Sequence, residues 1–154
     1  MLKSEFMSSR KLHDLSKNRI RDTQNNIFPP GLKFSLNFED TDEMSAYGIK
    51  WKQEYFQISR GKFKGTIQAA HTAIIQIVKV MWSPSIFIVG DIPEDSIVFG
   101  VSMTKANQPV FHSKNLQAHE IAVLQQGNEI DFLSKSPHEM LVLSVEKNIL
   151  NRYS

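Results

Sequence analysis

The sequence predicts a mainly β domain, an antiparallel sandwich or barrel, and three observations carry that prediction. Apolar residues recur with period two through most of the chain beyond Gly31, the spacing that places successive side chains on opposite faces of a strand. Turn signals part these runs at short intervals: Ser59-Arg60-Gly61, Ser83-Pro84, "GDIPED", "TKANQP", "QQGN" and "KSPHE". A single brief helical segment stands early in the chain and a second begins at its end, so strands do not alternate with helices as a parallel sheet would require.

Taken in order, residues 1–26 form a polar basic tail. Leu12, Leu15 and Ile20 give it only a thin apolar stripe, which suits a short surface helix or a disordered arm. "FPPG" from Phe28 to Gly31 joins rigid to permissive backbone and marks the start of a compact domain over 27–147. In 32–38, Leu32, Phe34, Leu36 and Phe38 alternate with Lys33, Ser35 and Asn37, a half-buried strand. Asp40 or Thr41 can cap a short helix with Asp42 and Glu43 in its first turn and Gly48 at its close. Further strands are expected at 51–59, 62–71, 74–82, 85–89, 96–103, 120–124, 129–133 and 140–145. Residues 148–154, with Ile149 and Leu150 as the apolar side, read as the first turns of a helix interrupted by the end of the chain.

Composition excludes several classes of chemistry. The chain has no cysteine, so disulfides, thiolate metal sites and a cysteine nucleophile are ruled out. The polar start lacks the apolar core of a signal peptide, and no run reaches the roughly 18 apolar residues of a membrane helix; the expected setting is cytoplasmic, with no membrane partner. Net charge is +2. Residues 1–26 carry six bases against three acids, which leaves the body nearly neutral and without the basic footprint of a nucleic-acid surface.

The five histidines, His13, His71, His112, His119 and His138, include no pair at one-apart or four-apart spacing, the arrangements that present two rings to one ion from a strand or helix. No metal and no cofactor is expected. Ser102 in "GVSMT" lacks the second glycine of a nucleophile elbow, and the carboxylate pairs Asp40/Asp42 and Glu94/Asp95 fall in caps and turns. The glycines are scattered, with Gly61 and Gly65 bracketing a strand where a phosphate loop would open a helix. No catalytic residue is assigned.

Strand faces point to a ligand pocket. Alternation sets Tyr55 and Gln57 opposite Phe56 and Ile58; it groups Phe63, Gly65, Ile67 and His71, and then Gln76, Val78, Val80 and Trp82. A lining that mixes apolar side chains with a few polar ones is that of a small-molecule site, and the candidate ligand-binding residues are Tyr55, Gln57, Phe63, Ile67, His71 and Trp82. Ordinary core packing explains the same pattern, and register decides which face is interior.

The block "EYFQISRGKFKGTI" adds a family likeness. Gln57, Ile58, Gly61, Phe63 and Gly65 match a recurring aromatic-Gln-Leu-x-x-Gly-x-Phe-x-Gly pattern, and "QQGNEIDF" followed by "LVLSV" resembles the closing strands before a linker. Together they resemble the amino-terminal regulatory half of AraC/XylS-type bacterial transcription regulators over residues 34 to 150. The resemblance implies a cupin-like barrel, or double-stranded β-helix, that senses a small-molecule effector or mediates pairing into a homodimer. DNA would be reached only through a carboxy-terminal helix-turn-helix half that this chain lacks. The expectation is therefore a regulatory domain that is not an enzyme. Two alternatives stay open: a metal-independent cupin-type enzyme with His71 as acid or base and Tyr55 assisting, and an interaction module whose Arg60, Lys62 and Lys64 dock an acidic partner.

Overall fold

The computed structural model describes residues 26–135 and 137–152, so the basic tail lies, apart from Asn26, outside the described residues. From Ile27 the chain is tied down. The N–H groups of Ile27 and Phe28 both donate to the Ala73 carbonyl, at 3.0 and 3.2 Å, and Phe28 is buried beside the His71 ring.

The period-two runs become strands β1 (Lys33–Phe38), β2 (Lys52–Gln57), β3 (Lys64–His71), β4 (Ile75–Ser83), β5 (Ile86–Asp91) and β6 (Ser96–Ser102). They continue with β7 (Val110–Phe111), β8 (Lys114–Asn115), β9 (Ile121–Leu124), β10 (Ile130–Leu133) and β11 (His138–Glu146). Helix α1 (Thr41–Ala46) has Asp40 as its cap, whose Oδ1 accepts the Glu43 N–H at 2.8 Å. Helix α2 (Lys147–Arg152) follows β11 directly.

The strands pair into a six-stranded sheet, β1-β3-β4-β11-β6-β9, and a five-stranded sheet, β2-β5-β10-β7-β8. Each pairing is antiparallel. The expected closed barrel is corrected here: among the described residues, edge strands β1 and β9 do not pair with β2 and β8. Closure needs a ladder along each seam. The two residues of β8 and four of β9 are too short to supply one.

Register settles the faces. Ile67 stands opposite Val80 and His71 opposite Gln76, and on the inner side these join Tyr55, Trp82, Ile88, Val98 and Phe132 in one apolar core. At Gly65 an added Cβ would collide with the Met44 sulfur. The missing side chain is thus what lets α1 press its one buried residue, Met44, onto β3.

The outer face of the larger sheet also carries apolar rows, interrupted by Lys79 and Gln68 beside Leu141. Ile77, Leu143, Phe99 and Val123 form one cross-strand row, and Leu141, Val101 and Ile121 the next. Ile77, Ile121 and Val123 are 49%, 60% and 46% exposed. A half-solvated antiparallel sheet ordinarily turns polar side chains outward, so this face departs from the common pattern.

Candidate functional site

The inward side chains do not fill the space between the sheets. They leave a cavity of about 110 Å³, walled by all of the longer strands of both sheets. The larger sheet supplies Ile67, Ala69 and His71 from β3, Gln76, Val78, Val80 and Trp82 from β4, and Gly100 and Met140 from the centre. The smaller sheet supplies Gln53, Tyr55, Ile88, Ile130 and Phe132, while Tyr47 to Ile49, Trp51 and Leu116 come from connecting segments. No Lys, Arg, Asp or Glu lines it.

One corner is polar, and its hydrogen-bond directions can be deduced. The Trp51 indole N–H, which can only donate, reaches Gln76 Oε1 at 2.8 Å. That fixes the amide orientation. Gln76 Nε2 then donates to the Ile49 carbonyl at 3.0 Å and faces His71 Nε2 at 3.1 Å. An amide nitrogen cannot accept, so His71 Nε2 must, and the neutral ring carries its proton on Nδ1. Burial pushes the His71 pKa down to about 4, opposed by the Pro29 carbonyl. Protonation would also set an imidazolium N–H against an amide N–H.

The other polar groups stand lower in the wall. Gln53 Nε2 donates to the Tyr55 hydroxyl at 3.2 Å, and burial pushes the Tyr55 phenol well above its ordinary range, with the Trp82 indole opposing. Tyr55 and Trp82 meet edge to face with centroids 6.3 Å apart. The Trp82 Nε1–H is buried and makes no hydrogen bond of proper geometry.

Of the six candidates, the structure brings Tyr55, Ile67, His71 and Trp82 together around the cavity. Gln57 and Phe63 lie elsewhere. Gln57 ends β2 exposed, and its Nε2 turns back to donate to the carbonyls of Ser59 and Gly61 at 2.9 and 2.7 Å, bracing a turn in which Gly61 has φ +125°. Phe63 precedes β3 and is buried against Gly65. Alternation grouped Gln76 with Val78, Val80 and Trp82 but gave neither the inner face nor its role as hub, and it missed Trp51 and Gln53, which sit where polar strand ends hide the alternation. The basic trio is surface: Lys62 pairs with Glu39 at 3.2 Å across exposed side chains.

A second buried histidine, His138, lies outside the cavity lining, opposite Trp82 in the register of β4 and β11. His138 Nε2 stands 3.2 Å from Ser102 Oγ, and Ser102 Oγ donates to the Thr104 carbonyl at 3.1 Å. The His138 pKa is lowered by burial, against the raising effect of Glu139. Among the described residues, no three His, Asp or Glu side chains gather as a metal centre, and no helix is long and apolar enough to cross a membrane.

No family model matches the chain, and no curated protein matches it. Among solved structures it is similar to KdgF from Halomonas sp., at 16% identity over 60% of this chain and 86% of that one, with a TM-score of 0.41. The expectation of a chain that is not an enzyme is corrected in that it does not stand: KdgF is one of the solved structures the chain matches, and neither a family model nor a curated protein supports a regulator in its place. At that TM-score the likeness transfers neither fold nor activity.

Proposed function

We propose that this domain binds a small molecule between its two sheets and acts as the effector-sensing part of a transcription regulator with a cupin-like architecture. The observation that carries the binding is the cavity itself, walled almost wholly by apolar side chains with Trp51, Gln76 and His71 as one polar corner. This is the composition of ligand pockets in general. The regulatory half of the proposal is supported by the "EYFQISRGKFKGTI" block, whose Gly61 and Gly65 serve as turn and docking point for α1. Tyr55, Ile67, His71 and Trp82 are the contact residues of this proposal.

Binding to the native state raises the unfolding temperature in proportion to the logarithm of ligand concentration. A thermal-shift screen over fatty acids, aromatic acids, amines, sugars and neutral ring compounds should yield at least one concentration-dependent shift. Absence of any shift across all classes would leave the binding reading without support. The regulator part has its own check, since two helix-turn-helix units encoded downstream of Ser154 are what it requires.

A second reading rests on the outer face of the larger sheet. Its rows of Ile77, Leu143, Phe99 and Val123, and of Leu141, Val101 and Ile121, are apolar enough to pair with a second copy of the chain. Sedimentation of the wild type and of Ile121→Lys should then differ, with the variant monomeric at concentrations where the wild type is a dimer.

A further inference from the structure

We propose that the cavity selects an uncharged molecule about the size of a single six-membered ring that carries one hydrogen-bond acceptor. The inference rests on the ligand-binding reading above and narrows it to a chemical class.

Three observations converge on it. The lining contains no Lys, Arg, Asp or Glu, so a carboxylate, phosphate or ammonium would enter with no counter-charge and would lose its hydration without replacement. His71 cannot supply the missing cation, because its Nε2 already accepts from Gln76 and burial holds its pKa near 4. Gln76 is saturated too: its oxygen takes the Trp51 N–H, and its nitrogen serves the Ile49 carbonyl and His71.

Two donors in the wall make no hydrogen bond of proper geometry: His71 Nδ1–H, which faces the Pro29 carbonyl, and the Trp82 indole N–H, which faces the Tyr55 hydroxyl. Trp82 is 4% exposed, lines the cavity, and its indole N–H meets no acceptor at proper hydrogen-bond geometry. Indole nitrogen donates and does not accept, so the complementary ligand atom is an alcohol, ether or carbonyl oxygen. Size follows from volume. A cavity of about 110 Å³ is about a quarter smaller than the roughly 150 Å³ apolar cavity known to take up benzene, which sets a single ring as the upper size and excludes long acyl chains unless the walls move apart.

Both tryptophans of the chain, Trp51 and Trp82, line the cavity, so intrinsic fluorescence reports its occupancy directly. The test titrates the full chain at neutral pH with four compounds of one ring skeleton: cyclohexanol, methylcyclohexane, cyclohexanecarboxylate and cyclohexylammonium. Cyclohexanol should give a saturable change, and the two ions should bind at least about 100-fold more weakly, the cost expected of an unpaired buried charge. Trp82→Phe keeps the ring and removes the donor; read through Trp51, it should weaken cyclohexanol about 5- to 10-fold and leave methylcyclohexane unchanged. Binding of either ion as tight as that of cyclohexanol, or indifference of cyclohexanol to Trp82→Phe, overturns the inference and leaves a ligand-binding cavity standing. Silence from all four compounds and from every class in the thermal-shift screen removes both.

Discussion

Two buried histidines sit in the same domain, one in the wall of the cavity and one outside its lining, and they answer a proton differently. His71 and His138 are 6% and 1% exposed, and burial lowers both pKa values. Their partners differ. His71 faces an amide nitrogen locked as a donor by Trp51 and Ile49, so a second ring proton has nowhere to go. His138 faces Ser102, whose hydroxyl can accept the ring N–H while giving its own proton to the Thr104 carbonyl. Burial sets the direction of a histidine's shift, but the neighbour's donor and acceptor inventory decides whether protonation breaks a hydrogen bond or leaves it intact.

The largest break in this comparison comes from the hub. Gln76→Leu strands the Trp51 N–H, the Ile49 carbonyl and His71 Nε2 in a largely buried corner, and at roughly 1–3 kcal/mol for each unsatisfied group, nearer the low end for the half-buried ones, should destabilise the domain by about 3 to 5 kcal/mol in chemical denaturation. Ser102→Ala, which removes a partner from one histidine nitrogen and from the Thr104 carbonyl, should cost less. Next is the response to acid. The folded pKa of His71, about 4, lies below its ordinary 6.5, so between those values the unfolded chain binds the extra proton. The His71 contribution is therefore fully present above pH 6.5 and lost as pH falls towards 4, by about 3 kcal/mol. Denaturation midpoints taken across that window should fall, and His71→Leu should flatten the slope.

Gln76→Glu sharpens the comparison from the other side. A carboxylate at this position accepts where the amide donated, so His71 should bind its proton at least about ten times more tightly, seen as an upward shift of its ring resonances in an NMR titration. His138 should titrate as before. The smallest effect is expected at the cavity floor. An added Cβ on Gly100 would stand 3.4 Å from the Met140 terminal methyl and 4.0 Å from the Ala122 Cβ, ordinary contact distances. Gly100→Ala should leave stability within about 0.5 kcal/mol while weakening cyclohexanol binding a few-fold, because the methyl takes up ligand space.

The sequence made the fold legible where alternation was long. The runs expected at 62–71, 74–82 and 96–103 became β3, β4 and β6 with ends moved by no more than two residues. β7 and β8 went unseen because two residues cannot show a period. The closed barrel was overread for a related reason: alternation reveals that a strand has two faces, but says nothing of which edges find partners. In the site, phase grouped Trp82 with Gln76 and His71 with Ile67, and the strand register then turned those faces inward. Gln57 shared a face with Tyr55 by parity, yet the strand stops there, and past a strand end parity no longer directs a side chain. Gln76 as hub was beyond reach, since its partners Trp51, Ile49 and His71 meet it only through the fold.

The apolar outer face of the larger sheet has a further consequence, for pairing fidelity. Strands usually find their register because a slip of one residue would turn the core face to water. In β11 the run Met140-Leu141-Val142-Leu143 is apolar on both sides, as is Ile97-Val98-Phe99 in β6, so a slip there would exchange one aliphatic residue for another at little cost. The correct alignment must then be enforced by the polar groups placed sparsely along these strands. Ser102 meeting His138 pins β6 to β11, and Lys79 reaching Glu139 at 3.0 Å pins β4 to β11. These contacts act as alignment marks for the three central strands, and the hydrophobic pattern alone does not provide them.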